Sequence, residues 1–327
     1  MLDESDAPLS ALRSPVAALA QNVEARLIGR HPLVEKLLVG LICGGHLLVE
    51  GAPGLAKTRA VKLLATSLDT GFARIQCTPD LMPSDLTGTS VFRPDTGSFE
   101  FVAGPVFHGL VLVDEINRAP PKVQSALLEA MGEGQVTVAG QTYPLPEPFM
   151  VVATQNPIEH EGTFPLPEAQ LDRFMLHVIV TMPGPDDERA ILDLVEQETI
   201  TAPPMPLETV SGGHVLQARQ ASAQVHVSPA LKDYIVRLVT ATRGGELAPD
   251  LAAMIEHPVS PRGSLALAAG VRTLAWLRGR DYATPEDVRE LAADALAHRM
   301  VLTWRAAADG ITPRDVVDRL LERIEPL

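Results

Sequence analysis

The chain has 327 residues, which suggests two domains of ordinary size, and 46% of them are hydrophobic, ample for burial. Its 27 Lys and Arg against 41 Asp and Glu leave a formal charge of −14, a field that repels phosphate backbones and argues against a broad nucleic-acid footprint. Cys43 and Cys77 lie in apolar segments and suit buried reduced thiols, no apolar run reaches the roughly 20 residues that span a bilayer, and the acidic opening MLDESDAPLS does not suit a signal peptide. A cytoplasmic setting is therefore expected.

In chain order, a frayed start over residues 1–14 gives way to a helix that Ser14-Pro15 opens and that runs to Leu27, with Val16, Leu19, Ala20 and Val23 at helical spacing. The turn Ile28-Gly29-Arg30-His31-Pro32 ends it. A second apolar helix, Leu33 to Cys43, stops at Gly44-Gly45. His46 to Glu50 then reads as a buried strand, followed by the loop Gly51-Ala52-Pro53-Gly54-Leu55-Ala56-Lys57-Thr58 and a helix to Leu68 with Val61, Leu64, Ala65 and Leu68 on one face. Further strands are expected at Phe72–Cys77, Leu110–Val113, Phe149–Thr154 and Phe174–Val180, with a helix at Pro120–Met131. This alternation argues for an α/β core, a mainly parallel five-stranded sheet between helices, with ligands beyond the carboxyl ends of the strands. Two stretches read as β-hairpins: Thr89–Val102, turning near Pro94–Gly97, and Gln135–Tyr143, with Ala139-Gly140 at the tip.

After Thr181–Pro185 no convincing buried strand appears, so the core is assigned to residues 15–183 and a smaller all-α domain to 184–327. Helices are expected at Asp186–Glu198, His214–Ala221, Pro229–Thr242, Pro261–Leu277, Pro285–Arg299 and Pro313–Ile324. Ser228-Pro229, Ser260-Pro261, Thr284-Pro285 and Thr312-Pro313 each place a capping hydroxyl before a proline at the first helical position.

The loop between strand and helix has the form of a phosphate cradle. Glycines at 51 and 54 let backbone N–H groups approach an anion. The following helix N-terminus adds donors and partial positive charge. Around them Pro53, Leu55 and Arg59 complete the loop and the helix start, Lys57 supplies an ammonium for β- and γ-phosphates, and Thr58 a hydroxyl for Mg²⁺. Ala56 stands where the usual pattern has Gly, which requires a helical, negative φ at that residue.

Leu110–Val113 runs into Asp114-Glu115. Successive strand side chains diverge, so Asp114 suits the Mg²⁺ shell and Glu115 a water in line with the γ-phosphate. Asn156, at the end of Phe149–Gln155, offers donors and an acceptor to water or phosphate, or else forms a turn before Pro157. Gln76 ends a strand likewise and is a candidate to hold Glu115. For Arg173 two readings stay open, a pair with Asp172 or another carboxylate, and a finger reaching a neighbouring subunit's phosphate. Arg262 lies in the first turn of a helix, where the macrodipole disfavours a cation, which points to a nearby anion or else to a solvated surface arginine.

GAPGLAKT, RIQCTPDLMPSDLTGT from Arg74, LVLVDEINRAPPKVQSALLEAM from Leu110 and VATQNPIEHEGTFPLPEAQLDRF from Val152 resemble the MoxR family of AAA+ ATPases. The likeness runs from about residue 15 to the end, looser in the helical part, where it rests on Ser260-Pro261-Arg262 and Asp281–Pro285. It implies an AAA+ core with a helical lid, ATP and Mg²⁺ as ligands, and Ala56 as ordinary for the family. Lys57 and Thr58 then match Walker A, Asp114 and Glu115 Walker B, Asn156 sensor 1, Arg173 the arginine finger and Arg262 sensor 2. Ile28 and Gly29 match the segment at the adenine. The resemblance further implies a homo-oligomeric ring, commonly a hexamer, with the 89–102 hairpin as an insertion carrying Phe92, Phe99 and Phe101. Chaperone-like remodelling of a client is implied too, with a von Willebrand factor A domain protein as partner. A nucleotide-controlled scaffold with little turnover and a nucleic-acid motor are the competing readings.

Overall fold

The computed structural model describes residues 9–29, 31–157, 162–200 and 209–326, and the side chains of 12–197 and 209–326 within them. Residues 1–8 of the expected frayed start, Arg30 of the first turn and residues 158–161 after Asn156 lie outside the described residues.

The first helix, α1, covers Leu9–Glu24, so its expected start at Ser14 is corrected: Pro15 sits inside it. Proline removes one intrahelical bond, but the turn before it is anchored, since Arg13 donates to Gly279 O (2.8 Å) and Arg280 O (3.0 Å). The apolar α2 (His31–Cys43) leads to β1 (Leu47–Glu50) and α3 (Lys57–Thr66). A short β2 (Leu68–Asp69) and β3 (Phe72–Gln76) follow, then one helical turn, α4 (Pro83–Thr87), and the hairpin β4 (Gly88–Arg93) and β5 (Ser98–Ala103). After it come β6 (Leu110–Asp114), α5 (Pro121–Glu133), the second hairpin β7 (Gln135–Val138) and β8 (Gln141–Pro144), and β9 (Met150–Gln155). The chain continues through α6 (Glu168–Leu171), β10 (Leu176–Ile179), α7 (Pro185–Ile200), β11 (Val210–Ser211) and α8 (Gly212–Ala223). Both hairpins form in the expected stretches, with Thr89 opposite Val102 and Val136 opposite Tyr143.

Five strands form one sheet in the order β10-β1-β9-β6-β3, and β1 pairs β9, β9 pairs β6 and β6 pairs β3 in parallel. β6 and the first five residues of β9 are buried on both faces, as the apolar runs Leu110–Val113 and Met150–Ala153 within them require. His46 ties β1 to its surroundings beyond the ladder. Its Nδ1 accepts from Val151 N–H (3.0 Å), so Nε2 carries the proton donated to Met131 O (3.1 Å), and burial lowers its pKa to about 4. On the first hairpin, Phe101 stacks on Tyr143 of the second at 4.0 Å, whereas Phe92 and Phe99 are exposed and meet edge to face at 5.4 Å.

The remaining elements are helical, with one short ribbon: α9 (Pro229–Ala241), α10 (Pro249–Ala252), β12 (Ile255–His257), α11 (Pro261–Leu277), α12 (Pro285–Leu296), β13 (Val301–Leu302), α13 (Trp304–Ala308) and α14 (Pro313–Arg323). β12 and β13 pair antiparallel, an addition to the all-helical expectation. The hydroxyl-proline caps are as expected: Ser228, Ser260 and Thr312 accept from backbone N–H groups of their first turns. Asp287 closes the box at Thr284 and also accepts two bonds from Arg280 (2.8 and 2.5 Å), so one buried carboxylate caps α12 and holds the preceding loop.

Packing divides the chain into a sheet unit, Ser14–Leu166 with Val178–Leu216, and a helical unit comprising Pro167–His177 and the chain from Gln217 on, together with the start of α1. The single expected break at 183/184 differs from this grouping. The reason lies in α7, whose apolar residues line a cavity of the sheet unit, and in Pro167–His177, whose backbone is bonded by residues of the helical unit.

Candidate nucleotide-binding site

The C-terminal ends of β1, β6 and β9 open on a cavity of about 830 Å³. It is lined by Pro53 to Arg59, by Asp114, Glu115, Gln155 and Asn156, and by the apolar Ile28, Ile191, Leu194 and Val195. The structure thus brings together, within the sheet unit, the expected loop, both acids, the amide and Ile28. Gly29 follows Ile28 with φ 67°, and an added Cβ there would meet Asp187 Oδ2 at 2.6 Å. Gly51 opens the loop, and an added Cβ there would lie 2.7 Å from Val180 O, so only glycine fits without a shift.

Ala56 has φ 58° and ψ 19°, the left-handed region, as the residue capping α3. The expected negative φ is therefore corrected. The chain must turn there to aim the first N–H groups of α3 at the loop, and alanine takes the conformation glycine would take without strain. Lys57 Nζ folds back on the loop, donating to Gly51 O and to Ala52 O (3.0 Å for the latter).

Asp114 is buried and accepts three bonds: from Thr58 Oγ1 (3.1 Å), Thr154 Oγ1 (3.1 Å) and Arg74 Nε (2.7 Å). Glu115 leaves the strand with φ 58°, its N–H bonded to Thr154 Oγ1 (3.0 Å). That left-handed residue breaks the alternation of the strand, so both acids border one cavity while keeping different partners. Gln76 Nε2 (2.9 Å) and Arg118 Nη1 (3.2 Å) both donate to Glu115 Oε2, and Arg74 also donates to Gln76 Oε1 (3.0 Å). The Gln76 contact was anticipated, but Arg74, Arg118, Thr154 and the apolar residues of α7 were not. A period of two places Arg74 and Gln76 on one face of β3, and Arg118 lies three residues after Glu115. Both clues are visible in the sequence. Burial, and then the charges of Asp114 and Glu115, push the Cys77 thiol up to about 12, so it stays protonated beside them.

No cluster of three or more His, Cys, Asp and Glu side chains suited to a metal exists among the described residues. The Thr58 hydroxyl and Asp114 carboxylate are nevertheless a fitting partial set for Mg²⁺, which takes one or two protein oxygens and leaves the rest to phosphate and water.

Arg173 and Arg262 belong to the helical unit. Arg262 Nη1 reaches Asp172 Oδ2 at 3.4 Å, so the anion expected near it within its own unit is a carboxylate. Arg173 is half-buried between α6 and β10. Among the described residues no helix is long and apolar enough to cross a membrane.

Comparison with known proteins bears on this arrangement. Residues 46–176 match the family model described as the ATPase family associated with various cellular activities (AAA), and residues 248–320 match the AAA lid domain. The chain is 47% identical over 305 residues to the protein named Chaperone MoxR1 of Mycobacterium tuberculosis, covering 93% of this chain and 80% of that one. It is 32% identical to Protein MoxR of Methylorubrum extorquens, covering 92% of each. The crystal structure of a candidate ATPase from Cytophaga hutchinsonii superposes with a TM-score of 0.88 at 40% identity, covering 98% of this chain and 97% of that one. With a five-stranded parallel sheet, the strand-to-helix loop beyond the C-terminal end of β1 and a helical lid in hand, the chain belongs to the MoxR family of AAA+ ATPases.

Proposed function

We propose that the chain hydrolyses ATP with Mg²⁺ in a homo-oligomeric ring, a hexamer, and uses the reaction to remodel a protein client. The observation that carries the reading is Glu115, set left-handed at the end of β6 beside Asp114 and facing the same cavity as the phosphate loop. The loop N–H groups, the start of α3 and Lys57 hold the phosphates; Thr58 and Asp114 hold Mg²⁺, which neutralises phosphate charge. Glu115 polarises the attacking water and Asn156 orients it or the γ-phosphate. Ile28 and Gly29, with the apolar residues of α7, receive the base. Arg173 completes the site of a neighbouring subunit and Arg262 contacts the phosphate of its own.

The chaperone role follows the name of the Mycobacterium relative, and a von Willebrand factor A domain protein is the partner proposed with it. A cytoplasmic setting, where ATP is abundant and the thiols of Cys43 and Cys77 stay reduced, fits the reading. Phosphate release by wild type and Glu115→Gln, over a range of protein concentrations, tests it. Turnover should rise with assembly and fall by about 10²- to 10⁴-fold in the variant; no ATP-dependent turnover in assembled wild type would sink the enzyme claim.

One observation favours a second reading, a nucleotide-controlled scaffold. Gln76 and Arg118 both occupy Glu115 Oε2, an arrangement that restrains the base until something displaces them. Slow basal hydrolysis, together with partner capture that ADP abolishes, would support it.

A further inference from the structure

The backbone on either side of Arg173 is fastened by the short turn that ends α12. Arg299 is the main fastener, with a side chain only 3% exposed. Its Nε donates to Asp172 Oδ1 (2.9 Å), Nη2 to Asp172 O (3.2 Å) and Phe174 O (2.7 Å), and Nη1 to Met175 O (3.1 Å). His298 adds a second donor to Phe174 O at 2.9 Å, and because a carbonyl only accepts, its Nε2 carries the proton. Burial first, and the Arg299 charge next, push His298 well below the usual imidazole range, so it does this work neutral. From α11, Ser260 Oγ donates to both Asp172 oxygens (3.1 and 3.3 Å), beside the Arg262 contact.

A buried guanidinium is costly unless its charge and donors are met, and a helix end needs no such group. Its planar fork suits the fixing of one backbone geometry. We propose that Asp172, His298 and Arg299 are positioning residues for Arg173, fastening its flanks to the helical unit that carries Arg262, so that the two arginines move as one body. This rests on reading Arg173 as the residue that completes a neighbour's site. Asp172 meets Arg299 through Oδ1 and Arg262 through Oδ2, so loss of the Arg299 bond leaves the Arg262 contact in place.

The test is a double-mutant cycle in the full chain, read as steady-state turnover and as equilibrium binding of a fluorescent ATP analogue. Arg173→Ala is expected to slow turnover by roughly 10³-fold or more. Arg299→Met should slow it by about 10²-fold, the effect of a small misplacement, with analogue binding unchanged in both. The double variant should be no slower than Arg173→Ala, because the clamp acts only through that arginine. Arg299→Lys, which keeps charge but not the fork, should recover part of the loss. Additive losses, or wild-type turnover in Arg299→Met, would overturn the proposal. If Arg299→Met does not fold, Asp172→Asn takes its place, with faster amide exchange across residues 172–175 and the same non-additivity expected; unchanged exchange and turnover would overturn it equally. Normal turnover in Arg173→Ala would sink the reading of that arginine and this proposal with it. That result is distinct from a failed clamp, where Arg173→Ala is slow and Arg299→Met is fast.

Discussion

Replacing Ala56 with glycine should stabilise the sheet unit, and the backbone gives the size of the effect. At φ 58° and ψ 19° an alanine Cβ crowds its own carbonyl, at a cost of roughly 1–2 kcal/mol that glycine does not bear. Glycine also loosens the unfolded chain, which offsets about 0.4–1 kcal/mol of that relief. The balance is a gain of about 0.5–1 kcal/mol, or a rise in Tm of roughly 1–4 °C for a unit of this size. Urea unfolding of both proteins, fitted with a common m-value, separates a change in stability from a change in compactness. Ala56→Val, with a branched Cβ in the same conformation, should move the midpoint the other way. A glycine variant less stable than wild type by more than about 0.5 kcal/mol would refute the claim of strain. It would mean that the methyl group contributes packing that outweighs the crowding.

Stability should also fall in mild acid because of His46. Its folded pKa of about 4 lies below the ordinary 6.5, so between these values the unfolded chain binds a proton that the fold excludes. Stability is then fully present above 6.5 and is lost at about 1.4 kcal/mol per pH unit as pH falls toward 4. The slope should flatten in His46→Gln, and an equal slope in both proteins would count against the assignment. Arg74→Ala frees Asp114 from its cationic partner, so analogue binding should reach half-saturation at a lower Mg²⁺ concentration; an unchanged or raised requirement would show that the pair does not compete. Gly51→Ala forces a methyl to 2.7 Å from Val180 O and should cost about 1–3 kcal/mol of stability in urea unfolding. A wild-type midpoint would show that the β1 to β10 edge yields easily.

What the sequence made legible follows the strength of its local rules. The five sheet strands and both hairpins were readable because apolar runs and turn residues report burial and reversal directly. α11 was placed at its true ends, Pro261 to Leu277, since Ser260-Pro261 fixes a start on purely local grounds. α1 was misread because Ser14-Pro15 carries the same start motif, yet the motif was overruled by bonds from Arg13 to residues some 266 positions away. Distant bonding of that kind leaves no periodic trace. The left-handed Ala56 and Glu115 were hidden for a related reason: side-chain type gives φ its prior, but here the required direction of the chain sets it. Arg74 and Arg118 carried weak clues, a shared strand face and an i+3 spacing, and become meaningful only beside the acids they hold.

The stack of Phe101 on Tyr143 joins two hairpins that are separate in sequence. One leads through Gly104–Phe107 into β6, and the other runs through Leu145–Phe149 into β9. β6 and β9 are adjacent, paired from Leu110 opposite Met150 to Val113 opposite Ala153. A pull on the exposed Phe99 tip is thereby divided between two strands in parallel and enters the sheet at the end remote from Asp114 and Asn156. The stacked rings act as a coupling rod, and a load applied at the tip reaches the acidic and amide ends of the sheet together.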